Sequence, residues 1–242
     1  MKVKSFKGGV HPEYNKHITG AKPIKVLPAP NLVVIPLSQH AGAPAEPLVK
    51  KGDSVLVGQE VGRSAGGISA AVHASVSGTV LQVEPRPSIN GREVLSVVIE
   101  NDGQDAKAPM TGHHDPIQLS SAEIRERIEA AGIVGLGGAA FPTAAKLNPP
   151  QGCRVEYLLI NGSECEPYLT ADQKLMEEYT EDVILGAKLL AKACGAEKII
   201  TAIEANKPEA LRKMRALAGS NAIEVVTLGV KYPAGGEKQL IK

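Results

Sequence analysis

The sequence predicts an α/β protein whose first half is a small all-β barrel or sandwich and whose second half is a β-α-β-α-β unit with a parallel sheet. Two observations carry that expectation. From Leu32 to about Asn101, short β-prone runs alternate with Gly and Asp turns at close spacing, the pattern of a small barrel or sandwich. After residue 119, capped helical patterns alternate with short apolar runs. That calls for parallel strands joined by right-handed crossovers in a doubly wound sheet. Between the two lie residues 102–118, with Asp102-Gly103, Pro109, Gly112 and Pro116, read as a linker.

In chain order, residues 1–26 carry Gly8-Gly9-Val10-His11-Pro12 with little periodicity and read as an extended lead-in. Residues 27–101 are the β domain, with β-prone runs at Leu32-Val33-Val34-Ile35, Ser54-Val55-Leu56-Val57, Gly78-Thr79-Val80-Leu81-Gln82-Val83 and Leu95-Ser96-Val97-Val98-Ile99. Residues 119–242 are the α/β domain. There Ser120 and Glu123 form a capping box, Leu119 can staple against Ile124, and Ile124, Ile128 and Ala131 make one stripe that Gly132 ends. Apolar runs at 155–160, 199–203 and 223–228 are its strands. One helix runs from about Thr180 to Cys194 and stops at Gly195; another opens at Pro208 and closes near Gly219.

Composition narrows the function. The 242 residues are 43% hydrophobic and 22% charged, ordinary globular usage, and no run approaches the ~20 consecutive apolar residues of a membrane-spanning helix. Lys plus Arg (27) nearly balance Asp plus Glu (26), which leaves no global field to gather nucleic acid, and 3% aromatics without Trp supply few stacking platforms. No nucleic-acid partner is expected. Three cysteines, Cys153, Cys165 and Cys194, with no C-x-x-C pair argue against a disulfide framework and a closed zinc or iron-sulfur site, so a reducing compartment is the expectation. Met1-Lys2-Val3-Lys4-Ser5-Phe6 has no apolar run after its basic residues, so neither signal peptide nor anchor is expected. The histidines show no ligand spacing, and no metal site is assigned.

Three loops carry candidate chemistry. One holds Asn161-Gly162-Ser163-Glu164-Cys165-Glu166-Pro167-Tyr168-Leu169-Thr170-Ala171-Asp172, and a second holds Lys231-Tyr232-Pro233-Ala234-Gly235-Gly236-Glu237-Lys238. Each follows a strand, so both emerge at the carboxyl edge of the sheet, where ligands of such sheets bind. The third, Gly135-Leu136-Gly137-Gly138-Ala139-Ala140-Phe141-Pro142-Thr143-Ala144-Ala145-Lys146, precedes the first strand. Gly135-x-Gly137-x-x-Ala140 fits the loose dinucleotide fingerprint, but a helix stands before it where the mechanism needs a strand. Its glycines could expose N–H groups to a phosphate with Lys146 adding charge, or form an unspecific turn. Glu164 and Glu166, two residues apart beside Asn161, could orient polar edges of a ligand or bind a cation, and without the matching loop at Glu237 they would read as solvated loop acids.

A resemblance spans the chain from Phe6 to its last residue. Phe6-x-Gly8-Gly9-Val10-His11-Pro12 with Asn15-Lys16, the 135–143 loop, Glu164-Cys165-Glu166-Pro167-Tyr168-Leu169-Thr170-x-Asp172, Asn206-Lys207-Pro208 and Lys231-Tyr232-Pro233-x-Gly235-Gly236-Glu237-Lys238-Gln239-Leu240 together resemble the C subunit of the Rnf electron-transport complex. The second half is also similar to the NADH-oxidising, FMN-carrying subunit of respiratory complex I. The resemblance implies a peripheral protein on the cytoplasmic side of the membrane, bound to the other subunits of a membrane-bound Rnf complex. That complex passes electrons between NADH and ferredoxin and couples this to ion translocation. It implies that Gly135, Gly137, Gly138 and Lys146 line FMN, that Asn161, Ser163 and Glu164 hold its polar edges and phosphate arm, and that Tyr232 and Gly235 lie beside it. Phe141, Glu166 and Glu237 would face NADH as substrate. Ala140 stands where glycine is usual, and Ser163, Cys165 and Gly236 where the complex I pattern has Asp, Gly and Glu.

The family continues with more of the flavin pocket, a further small domain and cysteine motifs for two 4Fe-4S clusters. Those motifs are absent before Lys242, so a fragment inactive by itself is expected. Residues 27–101, with Lys51-Gly52-Asp53-Ser54-Val55 and Val72-His73-Ala74-Ser75-Val76-Ser77-Gly78-Thr79-Val80, are similar to biotinyl/lipoyl barrel-sandwich hybrids. Residues 59–71 hold Arg63 but no Lys, so a docking or packing role is expected there rather than acyl carriage. The competing expectation for the whole is a non-catalytic docking module, similar to the A subunit of the sodium-pumping NADH:quinone reductase.

Overall fold

A computed structural model describes residues 3–89, 91–109, 112, 115–136 and 139–242. Contacts divide the chain into two compact units, Leu27–Asn148 and Met1–Val26 with Pro149–Lys242.

The first unit contains strands β1 (Leu32–Pro36), β2 (Glu46–Pro47), β3 (Ser54–Val55), β4 (Glu60–Arg63), β5 (Val72–His73), β6 (Gly78–Pro87) and β7 (Glu93–Asn101). They form two antiparallel sheets, ordered β1-β7-β6-β3 and β2-β4-β5. Ile35, Leu37, Val55, Val61, Val72, Val80, Val97 and Ile99 fill the core, so its β-branched residues face inward as a pleated, half-buried surface requires. Gly78 opens β6 at φ 151°, with the Glu100 carbonyl where a side chain would begin, so only glycine fits. Helix α1 (Ser121–Ala130) starts on the expected capping box: Ser120 Oγ accepts from the Glu123 amide, and the Glu123 carboxylate accepts from the Ser120 amide. Ile124 and Ile128 are its buried residues. Helix α2 (Thr143–Lys146) follows.

The division differs from the composition shift, which placed the boundary within residues 102–118. Gly132, at the end of α1, lies directly on the Ala71 backbone, and the Ala41 amide donates to the Ala140 carbonyl at 3.1 Å. Tertiary packing therefore attaches residues 119–148 to the β unit, a link no local sequence signal reports.

The second unit contains β8 (Tyr157–Gly162), α3 (Ala171–Glu178), α4 (Thr180–Cys194), β9 (Lys198–Glu204), α5 (Pro208–Ala218), β10 (Ile223–Leu228) and α6 (Glu237–Ile241). Local signals work well here. Gly195 caps α4 at φ 71°, and Pro208 opens α5 where its missing N–H costs nothing. The sheet is parallel, in the order β10-β9-β8. Among the described strands it is not doubly wound. Neighbours follow one another in sequence, so right-handed crossovers deliver the connecting helices to one face, where α3, α4 and α5 pack on one another. Met176, Ile184, Ala187, Ile203, Ala210, Leu211, Met214 and Ile223 form the core between helices and sheet.

Residues 3–26 are more than a lead-in. Lys4 bridges Leu228 in parallel, Val10 bridges Tyr232 in antiparallel fashion, and a 3-10 turn spans Lys16–Ile18. The segment is a strap along the carboxyl ends of β8 and β10.

Candidate functional site

All three strands of the second unit point the same way, so the loops after β8 and β10 leave the same edge and meet. Asn161 Nδ2 donates to the Gly235 carbonyl at 2.9 Å, and the Gly235 amide lies 3.5 Å from Cys165 Sγ. A Cβ at Gly235 would lie 3.3 Å from Ser163 Cβ and 3.4 Å from Asn161 Oδ1, so a larger residue would press against the loop after β8. Ser163 is fully buried and its Oγ has no partner among the described residues. A buried hydroxyl with an unmet hydrogen-bonding capacity is costly in a finished core and is expected where a ligand completes the site.

The loop after β8 is strained and held by charge. Glu164 (φ 47°) and Tyr168 (φ 67°) both occupy the left-handed region, unfavourable for residues with a side chain. The Glu164 carboxylate accepts from the amides of Asp172 (2.7 Å) and Gln173 (3.3 Å), in the first turn of α3, which Thr170 leaves without a side-chain cap. A negative group there meets the positive end of the helix. Burial is the largest influence on Glu164 and pushes its carboxyl up, against the Asp172 amide bond, which pulls it down.

Two lysines hold the loop's backbone. Lys207 and Glu204 are both fully buried and form an ion pair at 3.3 Å. Lys207 Nζ also donates to the Ser163 carbonyl (2.5 Å) and to Asn206 Oδ1 (3.1 Å). Burial moves Lys207 down and Glu204 up, and the attraction of each for the other opposes both shifts. From the strap, Lys16 Nζ donates to the carbonyls of Glu164 (2.7 Å), Glu166 (3.0 Å) and Leu169 (2.5 Å). The second loop is tied the same way: Lys231 Nζ donates to the Phe6 and Gly8 carbonyls and lies 4.8 Å over the Phe6 ring. Its amide donates to Glu204 Oε1.

Of the residues singled out in the sequence, Asn161, Ser163 and Gly235 are thus in direct contact, and Glu164 shapes the loop beside them. Glu166, Tyr232 and Glu237 are exposed at the same edge, Glu237 as the first residue of α6. Gly135, Phe141 and Lys146 belong to the first unit and are close there. The Gly135 amide donates to the Phe141 carbonyl, a Cβ on Gly135 would lie 3.0 Å from Lys146 Nζ, and that ammonium is 5.9 Å from the Phe141 ring centre. Ala140 adopts φ 49°, a glycine-like conformation. Gly137 and Gly138 lie outside the described residues. Sequence reasoning missed Lys16, Tyr14, Glu204 and Lys207 as parts of the site; Asn15-Lys16 and Asn206-Lys207-Pro208 stood out as motifs but carried no role. Among the described residues, no group of three His, Cys, Asp or Glu side chains could hold a metal ion.

Comparison with known proteins identifies the relatives of this chain. A family profile for the RnfC barrel sandwich hybrid domain matches residues 4–104, and one for the Nuo51 FMN-binding domain matches residues 128–242. The C subunit of the Na(+)-translocating ferredoxin:NAD(+) oxidoreductase complex of Acetobacterium woodii is 47% identical over 100% of this chain and 55% of its own length. The chain belongs to the family of Rnf complex C subunits. Its counterpart in the proton-translocating ferredoxin:NAD(+) oxidoreductase complex of Clostridium ljungdahlii is 42% identical over 99% of this chain and 52% of its own length. The counterpart in the ion-translocating oxidoreductase complex of Rhodobacter capsulatus is 43% identical over 98% and 47%. The chain therefore spans about half the length of these relatives. A solved NAD+-reducing NiFe hydrogenase in the H2-reduced state is 27% identical over 51% of this chain and 24% of that one, with a TM-score of 0.47. No helix among the described residues is long and apolar enough to cross a membrane.

Proposed function

We propose that this chain is the FMN- and NADH-binding part of an electron-input subunit in a membrane-bound, ion-translocating NADH:ferredoxin oxidoreductase, peripheral on the cytoplasmic side. The observation that carries the reading is the meeting of the two loops at the carboxyl edge, where Asn161, the unpartnered Ser163 hydroxyl and the side-chain-free Gly235 converge. These residues fit a flavin. The amide and hydroxyl can meet the alternating donors and acceptors of its polar ring edge, and the missing Cβ lets a flat ring approach the backbone.

Bound flavin would accept a hydride from the nicotinamide, and the clusters that take electrons onward in the family are not encoded here. What this chain contributes is placement. Asn161 and Ser163 orient the ring edge, and Glu164 fixes the loop that presents them. Tyr232 lines the approach, while Glu166 and Glu237 are assigned to the nicotinamide nucleotide. Gly135, Gly137, Gly138 and Lys146 are assigned to FMN, and Phe141 to NADH, on the family resemblance. The other subunits of the complex, and ferredoxin through them, are the implied partners.

The test is anaerobic titration of the full natural chain with FMN, followed by NADH. Flavin uptake, with loss of its visible absorption on adding NADH, supports the reading. A well-folded chain that takes up no flavin favours the docking role instead.

A further inference from the structure

We infer that Lys16 is a positioning residue for the proposed flavin and nucleotide site, and that the strap of residues 3–26 exists to deliver it. This rests on reading the carboxyl edge as that site. The loop from Ser163 to Thr170 is the part of the edge that cannot hold itself. Two of its residues are in the left-handed region, and three of its carbonyls, those of Glu164, Glu166 and Leu169, turn toward one point. Like dipoles converging on a point repel unless a cation sits there. The Lys16 ammonium occupies it, and its three N–H donors match the three carbonyls in number.

The rest of the strap is arranged to fix that ammonium. The Tyr168 amide donates to the Tyr14 carbonyl at 2.7 Å, and Thr19 Oγ1 donates to the Tyr168 carbonyl at 3.1 Å and accepts from Thr170 Oγ1 at 2.9 Å. Farther on, the Ile24 amide donates to the Glu178 carboxylate. Upstream, Phe6, Gly8 and Val10 hold Lys231 and Tyr232 of the other loop. One short segment thus grips both loops that form the site, with Lys16 as its charged contact to the strained one. Lys207 holds the same loop from its other end, at Ser163, but reaches neither Glu166 nor Leu169. Lys16 therefore fixes where Glu166 and Tyr168 point, and with them the side of the site assigned to the nucleotide.

The experiment compares the full natural chain with its Lys16→Met and Lys16→Arg variants. Hydrogen exchange is measured at the amides of Tyr168, Asp172 and Gln173, and FMN affinity and the KM and kcat for NADH are measured where the chain takes up flavin. Met keeps the stem and removes the three donors; Arg keeps the charge and donors. With unchanged circular dichroism, Lys16→Met is expected to speed exchange at these three amides about tenfold, the scale of one lost charge-assisted hydrogen bond, and Arg to restore much of it. Exchange at Ala191 in α4 should not change. KM for NADH should rise more than kcat falls. Unaltered exchange in a folded Lys16→Met protein would overturn the inference, as would an Arg variant no better than Met. A wild-type chain that binds no flavin would overturn the proposed function, and the exchange measurement would still decide the role of Lys16 by itself.

Discussion

The two units bury different things. Among the described residues of Leu27–Asn148 the buried polar ones are three serines, Ser69, Ser77 and Ser96, in a core otherwise of Val, Ile, Leu and Ala. Every buried charged residue among those described, Glu164, Glu177, Glu204 and Lys207, lies in the other unit, and three of them lie at the carboxyl edge of its sheet. A buried ion pair is weak evidence for stability, because desolvating both partners offsets most of their attraction. An apolar core does the stabilising more cheaply. The charged cluster is accordingly understood as the means by which a strained loop is held in one conformation, while the core of the β unit is almost wholly apolar.

The sharpest way to break this comparison is at Lys207. Lys207→Met leaves Glu204 buried without its partner and the Ser163 carbonyl without its donor, and should cost about 3–5 kcal/mol in urea unfolding. Replacing both, Lys207→Met with Glu204→Leu, should recover most of that loss and still weaken flavin binding. A double variant that regains stability and binds flavin normally would remove the charged pair from the site.

The β unit should respond in the opposite way. Ile99→Ala empties a fully buried position and should cost about 2–5 kcal/mol, with flavin affinity unchanged. A smaller effect is expected at the α1 cap, where Ser120→Ala should cost about 1 kcal/mol by thermal melting.

The smallest expected effect concerns pH. Because burial raises Glu164 and Glu204, the folded unit holds protons that the unfolded chain has released. Their contribution to stability is complete below the ordinary glutamate value of about 4.3 and is lost as pH rises through the raised values. Glu164→Gln should therefore flatten the fall in stability from that pH upward, which denaturation at a series of pH values measures. A slope identical to wild type would mean that Glu164 titrates normally.

Much of the fold was legible because its signals are local. The Ser120 capping box, the Gly195 cap and Pro208 at the start of α5 each act within a few residues, and each appears where the sequence places it. The candidate site was legible in part. Loops after parallel strands must share an edge, so Asn161, Ser163 and Gly235 could be grouped from topology alone. The strap could not, because Lys16 meets its carbonyls across 148 to 153 residues of chain and a lone lysine in an irregular segment carries no periodicity. The single face covered by helices was hidden for a related reason: strand order is a tertiary fact, and β-α-β-α-β is compatible with several orders.

The central claim is that the edge where the two loops meet receives a flavin, and Gly235 tests it most directly. FMN affinity would be measured by flavin fluorescence in the full natural chain, in Gly235→Val and in Ile99→Ala. The valine, whose Cβ would lie 3.3 Å from Ser163 Cβ, is expected to weaken binding at least about tenfold, whereas the alanine at Ile99 leaves it unchanged. Flavin bound equally well by wild type and by a folded Gly235→Val chain would place the cofactor elsewhere and contradict the claim.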